Sequence, residues 1–292
     1  MLSPSAIPEK SGEEMRVVVL IDNTPNPYSD LQTEHGLSIY FEVDNRKWLM
    51  DVGASGKFAE NAERLGVDIA GIDFLILSHA HRDHSGGLGN FIKQNNKAKI
   101  FISSHIAGNF YYSTRRGLKR DISPDYSIVE NNPERFVLVD TDIRLSESVI
   151  LHCNIPVLFD MPKANRTLLV NDSSDDFSHE MALCINTPKG HIVISACTHM
   201  GILNTLSACG NKDICSFIGG THLIDSNTDN LYETDEQLIE IAHKIKSLYP
   251  QMKLITGHCT GANAQKILSE TLEDKFISFY SGFLFKKGCY FQ

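Results

Sequence analysis

Paired cysteines are lacking. The seven cysteines are scattered through 292 residues with no Cys-x-x-Cys spacing, and an odd, scattered set argues against a disulfide framework, so the reducing cytoplasm is the expected compartment. Long apolar runs are lacking too: none approaches the roughly 18 residues of a membrane span. Met1 to Glu14, with Pro4 and Pro8, has neither the basic nor the apolar stretch of a secretory signal. No membrane partner is expected. Positive charge is the scarcer sign, 27 Lys and Arg against 36 Asp and Glu, and this excess of acid argues against generic binding to nucleic acid. Repeats, low-complexity tracts and Gly/Ser linkers are absent. The chain therefore reads as a polar tail over residues 1–14 and one domain over 15–292.

What is present is an alternation of strands and helices. Met15 to Asp22 is a β-branched run of buried-strand type, and Leu37 to Val43 with Lys47 to Asp51 forms a hairpin turning at Asp44-Asn45. Gly56 to Leu65 reads as a helix, and Phe74 to Leu77 and Lys99 to Ser103 as strands. Residues 104–165 look less regular. Strands then return at Ala182–Asn186, His191–Ala196, Ile214–Ile218 and Lys253–Thr256, alternating with helices near Gly201–Ala208, Glu233–Leu248 and Asn263–Leu272. This rhythm predicts an α/β fold of two face-to-face sheets flanked by helices.

The chemistry concentrates after the strand at Phe74. Ser78-His79-Ala80-His81-Arg82-Asp83-His84-Ser85-Gly86-Gly87-Leu88 puts four ligand-type side chains within six residues. Imidazole and carboxylate together suit Zn²⁺, Fe²⁺ or Mn²⁺. In such a turn His79 and His81 can converge on one cation while Asp83 and His84 reach a second, and a cation pair lowers the pKa of a shared water. Gly86 and Gly87 are expected to give the backbone room beside the ions.

Four ligands are too few for two cations, so distant residues must complete the site. His199, His222 and His258 each follow an apolar strand directly, and strand ends of one sheet meet at a common edge. His199 and His258 are expected ligands, while His222 binds metal or moves a proton. Asp176, His179 and Glu180 lie in an acidic segment before a strand and offer a ligand or a supporting partner, with no choice among them. His105, His152, His191 and His243 have surface or helix contexts. Cys197 and Cys259 flank His199 and His258 and are expected to be buried and inert.

These motifs carry a family resemblance. His79-Ala80-His81-Arg82-Asp83-His84, with Asp51-Val52-Gly53 upstream, resembles the metallo-β-lactamase superfamily. Glu34-His35-Gly36-Leu37-Ser38, Ala196-Cys197-Thr198-His199, Gly219-Gly220-Thr221-His222-Leu223 and Gly257-His258-Cys259-Thr260-Gly261 narrow it to the branch named for the dihydropterin ribofuranosyl-aminobenzene phosphate synthase. The resemblance implies an αββα four-layer sandwich with the site at one edge of the two sheets. It assigns His79 and His81 to one cation, Asp83, His84 and His258 to the other, and His199 to the place of the usual bridging Asp, so one or two ions are open. An imidazole at His81 favours Zn²⁺ over redox diiron chemistry.

The expected partner is a small molecule, phosphorylated or pterin-like. Arg115-Arg116-Gly117-Leu118-Lys119-Arg120 is the one dense basic cluster. Arg115 and Arg116 are candidate phosphate ligands, although a solvated face reads equally well. Tyr111 and Tyr112 read as packing residues more readily than as a stacking platform. Glu34 and His35 are candidates for the pocket wall. The leading reading is a metal-dependent enzyme activating water or substrate, with Asp83 accepting and His222 donating protons. The alternatives are a synthase-type transferase, a ligand-sensing protein without catalysis, and a redox diiron protein.

Overall fold

Both faces of the long strands alternate apolar side chains, so each sheet must be covered on both sides. The computed structural model describes residues 15–210 and 213–286; the tail expected over residues 1–14 lies outside the described residues. Two seven-stranded sheets result. The first runs Leu284–Lys286, Arg16–Ile21, Ser38–Val43, Arg46–Met50, Phe74–Ile76, Lys99–Ser103, Phe136–Val139. The second runs Phe276–Ser278, Lys253–Thr256, Ile214–Gly219, Gly190–Ser195, Ala182–Thr187, Val149–His152, Ile143–Arg144.

The period-two pattern builds the layers. Phe41, Trp48 and Met50 meet Leu183, Ile192, Ile194, Ile218 and Ile255 between the sheets. On the outer face of the first sheet, Tyr40 and Leu49 pack against Phe58, Ala62 and Phe91 from helices Lys57–Arg64 and Leu88–Gln94. On the outer face of the second, Val193 and Leu254 pack with Leu206, Leu238, Ile245 and Leu268 from helices Ile202–Ala208, Asp235–Leu248 and Ala262–Leu272. The fold is the αββα sandwich. Among the described residues no helix is long and apolar enough to cross a membrane.

The segment 104–165 departs from the sequence reading. It supplies Phe136–Val139 to the first sheet, Val149–His152 and Ile143–Arg144 to the second, and two strands of a small third sheet ordered Ser173–Ser174, Leu168–Val170, Tyr111–Ser113, Arg120–Asp121. These strands are two to four residues long. Phe136–Val139 is an edge strand with Leu138 exposed. Strands this short carry too few alternations to show a period.

Topology then gathers the ends. Arg46–Met50, Phe74–Ile76, Lys99–Ser103 and Phe136–Val139 run parallel in the first sheet, as do Gly190–Ser195, Ile214–Gly219, Lys253–Thr256 and Phe276–Ser278 in the second. Parallel strands deliver their carboxyl ends to one edge, where crevices form.

Candidate metal centre

Asp51 and the ligand-type residues of the His79–His84, His199, His222 and His258 motifs follow such strand ends. Asp51 follows Met50, His79 comes three residues after Ile76, and Cys197 and His199 lie just beyond Ser195. His222 lies beyond Gly219 and His258 beyond Thr256, while Asp83 and His84 sit on the short helix Arg82–Ser85. The backbone is strained here. Asp51, Thr198, His222 and His258 adopt positive φ values of 61°, 55°, 52° and 53°, a conformation costly for a residue with a Cβ and most of all for β-branched Thr.

Six imidazoles converge. His79 Nε2 is 3.3 Å from His199 Nε2, and His84 Nε2 is 3.1 Å from His258 Nε2. The far side of each ring explains these close approaches. His79 Nδ1 lies 2.8 Å from Ser78 Oγ, whose own proton goes to Asp51 Oδ2 at 2.6 Å. His84 Nδ1 lies 2.7 Å from Asp51 Oδ2. His199 Nδ1 is 3.1 Å from Asn165 Oδ1, an amide oriented by its Nδ2 donating to the His199 carbonyl. His258 Nδ1 is 3.1 Å from Asn23 Oδ1, which also accepts from Gly36 N. Each Nδ1 therefore donates outward, and the Nε2 of His79, His199 and His258 turns a lone pair inward, while His84 Nε2 faces both His258 Nε2 and the Asp83 carboxylate. Lone pairs facing each other at such distances repel unless a cation or proton lies between them.

His81 and His222 add to the cluster. Both are buried, with His81 Nε2 and both ring nitrogens of His222 lacking a hydrogen-bond partner. Buried polar atoms without partners are costly. The His81 ring lies 4.6 Å from that of His79 and 4.8 Å from that of His199, and the His222 ring 4.0 Å from that of His199. Burial lowers the pKa of His79, His199, His222 and His258 well below the ordinary value and that of His81 to about 3, so these rings are neutral and able to ligate. At His84, burial lowers the value but the Asp83 and Asp51 carboxylates raise it further, to about 10. Asp83 Oδ2 stands 3.4 Å from His84 Nε2 and 3.6 Å from His258 Nε2. These inward lone pairs and orphaned nitrogens fit a divalent cation.

Comparisons with known proteins agree. A family model described as the metallo-beta-lactamase superfamily matches residues 32–159. The chain is 28% identical over 302 aligned residues to the 7,8-dihydropterin-6-methyl-4-(beta-D-ribofuranosyl)-aminobenzene-5'-phosphate synthase of Methanocaldococcus jannaschii, covering 94% of this chain and 97% of that one. The chain is thus similar to members of the metallo-beta-lactamase superfamily over residues 32–159 and along most of the length of this relative. An uncharacterised protein of the same organism is 26% identical over 265 residues, 87% of this chain and 94% of the relative. In fold, the chain is similar to the crystal structure of Tm1679, a metal-dependent hydrolase of the beta-lactamase superfamily, with a TM-score of 0.75, 24% identity and coverage of 93% of this chain and 98% of that one.

Around this candidate centre the structure sorts the remaining candidates. In the acidic segment, Asp176 is exposed and apart. Glu180 is buried and caps the amides of His199 and Met200 at 2.8 and 2.7 Å; burial raises it to about 7. His179 accepts from Ala80 N at 3.2 Å and meets Asp175 Oδ2 at 3.1 Å, so both its nitrogens are used. The Glu34 carboxylate takes Ala54 N, Ser55 N and Ser55 Oγ, tying down the loop after Asp51. His35 stands exposed at the rim, 3.4 Å from Asp83 Oδ2 and stacked on His258.

The basic cluster divides. Arg115 is half-buried with Nε unpartnered, and after burial its charge is the largest influence lowering the pKa of His222. Arg116 is exposed. Tyr111 is buried against His179, and Tyr112 carries Lys119 over its ring. Gly86 and Gly87 serve packing: a Cβ at either would lie 2.2 or 2.1 Å from the Ala54 or Val52 carbonyl oxygen. His105 and His243 are exposed, and His152 and His191 pair with Asp142 and Cys184.

Sequence reasoning missed Asn23, Ser78, Asn165 and Asp175 as anchors and gave Asp51 no role beyond its motif. Asn23 lies in a turn-rich loop and Asn165 in the segment read as irregular, where no periodicity marks them. Asp51 had a signal, since it ends a hairpin strand just where the chain must turn.

Proposed function

We propose that the protein is a metal-dependent enzyme acting on a small phosphorylated substrate, with hydrolysis of a phosphoester, ester or lactone bond as its reaction. The observation that carries this reading is the set of four imidazoles whose Nδ1 atoms are anchored outward and whose Nε2 atoms meet in pairs. His79, His81 and His199 would hold one ion, and Asp83, His84 and His258 a second. Zn²⁺ is the expected metal, and it would supply Lewis acidity and a nucleophilic water at neutral pH.

The chain's own groups do the rest. Asp83 is placed to take up a proton at Oδ2. His222, neutral and unpartnered, donates a proton or a lone pair. Arg115 brings a fixed positive charge beside His222, and its unpartnered Nε suits a phosphate oxygen through a charge-assisted hydrogen bond. Asn230 Nδ2 holds the Arg115 carbonyl at 3.0 Å and steadies that turn. Six cysteines are free among the described residues, which favours a cytoplasmic setting.

The second reading, a synthase-type transferase joining a pterin to an aminobenzene partner, is favoured by the near full-length likeness to the M. jannaschii synthase. The same centre would then orient two substrates and stabilise the leaving group.

The test measures metal content and turnover of phosphodiesters, lactones and pterin substrates in the wild type, His81→Ala and His258→Ala. Both variants should lose metal and activity; full metal and full turnover in both would overturn the site. A metal-loaded wild type that turns over nothing would indicate a ligand sensor, and iron with electron transfer a diiron protein.

A further inference from the structure

Three loops are tied together beside His199 and His222. The first is the turn after strand Tyr111–Ser113, which carries Arg115; the second is the 3₁₀ turn Lys163–Thr167; the third joins His222 to the helix Asp235–Leu248. Each is bonded to the other two. Thr114 N and Oγ1 donate to the Thr167 carbonyl at 2.8 and 3.1 Å. Asn230 Nδ2 donates to the Arg115 carbonyl at 3.0 Å. Lys163 N donates to Glu233 Oε1 at 2.6 Å. The Arg166 guanidinium donates to the Leu231 carbonyl and lies 5.4 Å from the centre of the Tyr232 ring. The same 3₁₀ turn holds His199 through Asn165.

Two buried polar atoms on these loops have no hydrogen-bond partner among the described residues, Arg115 Nε and the Tyr232 hydroxyl. Tyr232 is only 3% exposed. A donor so enclosed is costly unless something accepts from it. The neighbouring donors, Arg166 and Asn230, already serve backbone carbonyls. After burial, the Arg115 charge is the largest influence lowering the pKa of His222, so its guanidinium lies beside the centre. Donors that include a permanent positive charge and lack an acceptor call for an anion.

We infer that Arg115 Nε and the Tyr232 hydroxyl together bind a phosphate monoester of the substrate beside His222, as a handle held by the protein and not by the cations. The inference rests on the phosphorylated-substrate reading and adds Tyr232 as a binding residue. Arg115 supplies charge and one N–H; Tyr232 supplies a neutral donor, its ring covered by Arg166.

Binding of inorganic phosphate and of phenylphosphonate, whose P–C bond resists hydrolysis, is measured by calorimetry on the full-length protein, zinc-loaded and metal-free. The proteins are wild type, Arg115→Met, Tyr232→Phe and Arg116→Met. Both anions should bind in both metal states, about 10–100-fold more weakly in Arg115→Met and in Tyr232→Phe, and unchanged in Arg116→Met. Because the Tyr232 hydroxyl has no partner in the fold, Tyr232→Phe should leave the thermal midpoint unchanged or raise it. Anion binding that needs zinc and is the same in every variant would put the phosphate on the cations and overturn the inference. A Tyr232→Phe protein with a lower midpoint and unaltered anion affinity would overturn it too, since the hydroxyl would then be structural. Inorganic phosphate bound with phenylphosphonate refused would mark a free-anion site and overturn the substrate handle. Zinc content should match wild type in every variant; a wild type that binds no zinc would overturn the metal-enzyme reading and leave the anion affinities to decide the subsite. Tyr232→Phe decides even if Arg115→Met fails to fold.

Discussion

Four imidazoles of the centre, those of His79, His84, His199 and His258, depend on a hydrogen bond made on the far side of the ring. Asp51 is the busiest anchor: it takes His84 Nδ1 at 2.7 Å and the Ser78 hydroxyl at 2.6 Å, and through that hydroxyl it also orients His79. It thus reaches one ring of each facing pair. Asp51→Asn keeps the size and tolerates the left-handed backbone, but it places a donor or a neutral oxygen where a carboxylate stood. Metal affinity should fall about 10–100-fold, measured by competition with a chromophoric chelator. Unchanged affinity would show that the rings are held by packing alone. His35, which stacks on His258 from the solvent side, was easy to single out from its motif. The anchors Asn23 and Asn165 were not, because an asparagine in a loop looks the same whether it faces water or an imidazole.

At the scale of elements, the hairpin between Ser38–Val43 and Arg46–Met50 ties the two sheets together. Asp44 and Asn45 both sit at φ 54°, the turn expected from their types. The Asp44 carboxylate accepts from Ser146 Oγ at 2.5 Å, Ser148 N at 2.8 Å and Ser148 Oγ at 2.8 Å, in the loop leading to Val149–His152 of the second sheet. Burial raises its pKa, but these donors outweigh that and hold it below the ordinary value of 3.8. A carboxylate with a depressed folded pKa stabilises the fold fully above its unfolded pKa, and that contribution fades as pH falls through the folded value. Asp44→Ala should therefore cost about 1–3 kcal/mol near neutral pH, from lost hydrogen bonds and a harder left-handed turn. The gap to wild type should narrow below about pH 4, as read by denaturant unfolding across pH. A gap independent of pH would assign the whole effect to the turn. Helix Asp235–Leu248 opens on a capping box of Thr234 and Gln237, and Thr234→Ala should cost about 1 kcal/mol in the same assay.

For the whole molecule, the centre lies where the two sheets meet. His79, His81 and His84 follow a strand of the first sheet, and His199, His222 and His258 follow strands of the second, so a bound cation cross-links the halves. Binding to the folded state alone stabilises by about 2.7 kcal/mol at a hundredfold excess over Kd. Chelation should lower the thermal midpoint by about 5–10 °C, at roughly 2–4 °C per kcal/mol for a chain near this size. His258→Ala should blunt that shift. Equal midpoints with and without chelator in the wild type would remove the cross-link.

The strands Arg16–Ile21, Ser38–Val43, Gly190–Ser195 and Ile214–Gly219 and the run from His79 to His84 are legible in sequence, because a buried strand repeats every two residues and a metal turn packs its ligands into six. The edge strand Phe136–Val139, the engagement of Glu34 by Ala54 and Ser55, and the parting of Arg115 from Arg116 are not. They depend on which distant backbone lies opposite, and short-range pattern carries no record of that. By itself the sequence determined the alternation, the strand-end histidines and the kind of ligands available. Only the tertiary structure decided which ring faces which. The reason is physical: parallel strands separated by tens of residues deliver their ends to one edge, and distances of 3 to 5 Å across that edge arise from sheet register and strained turns.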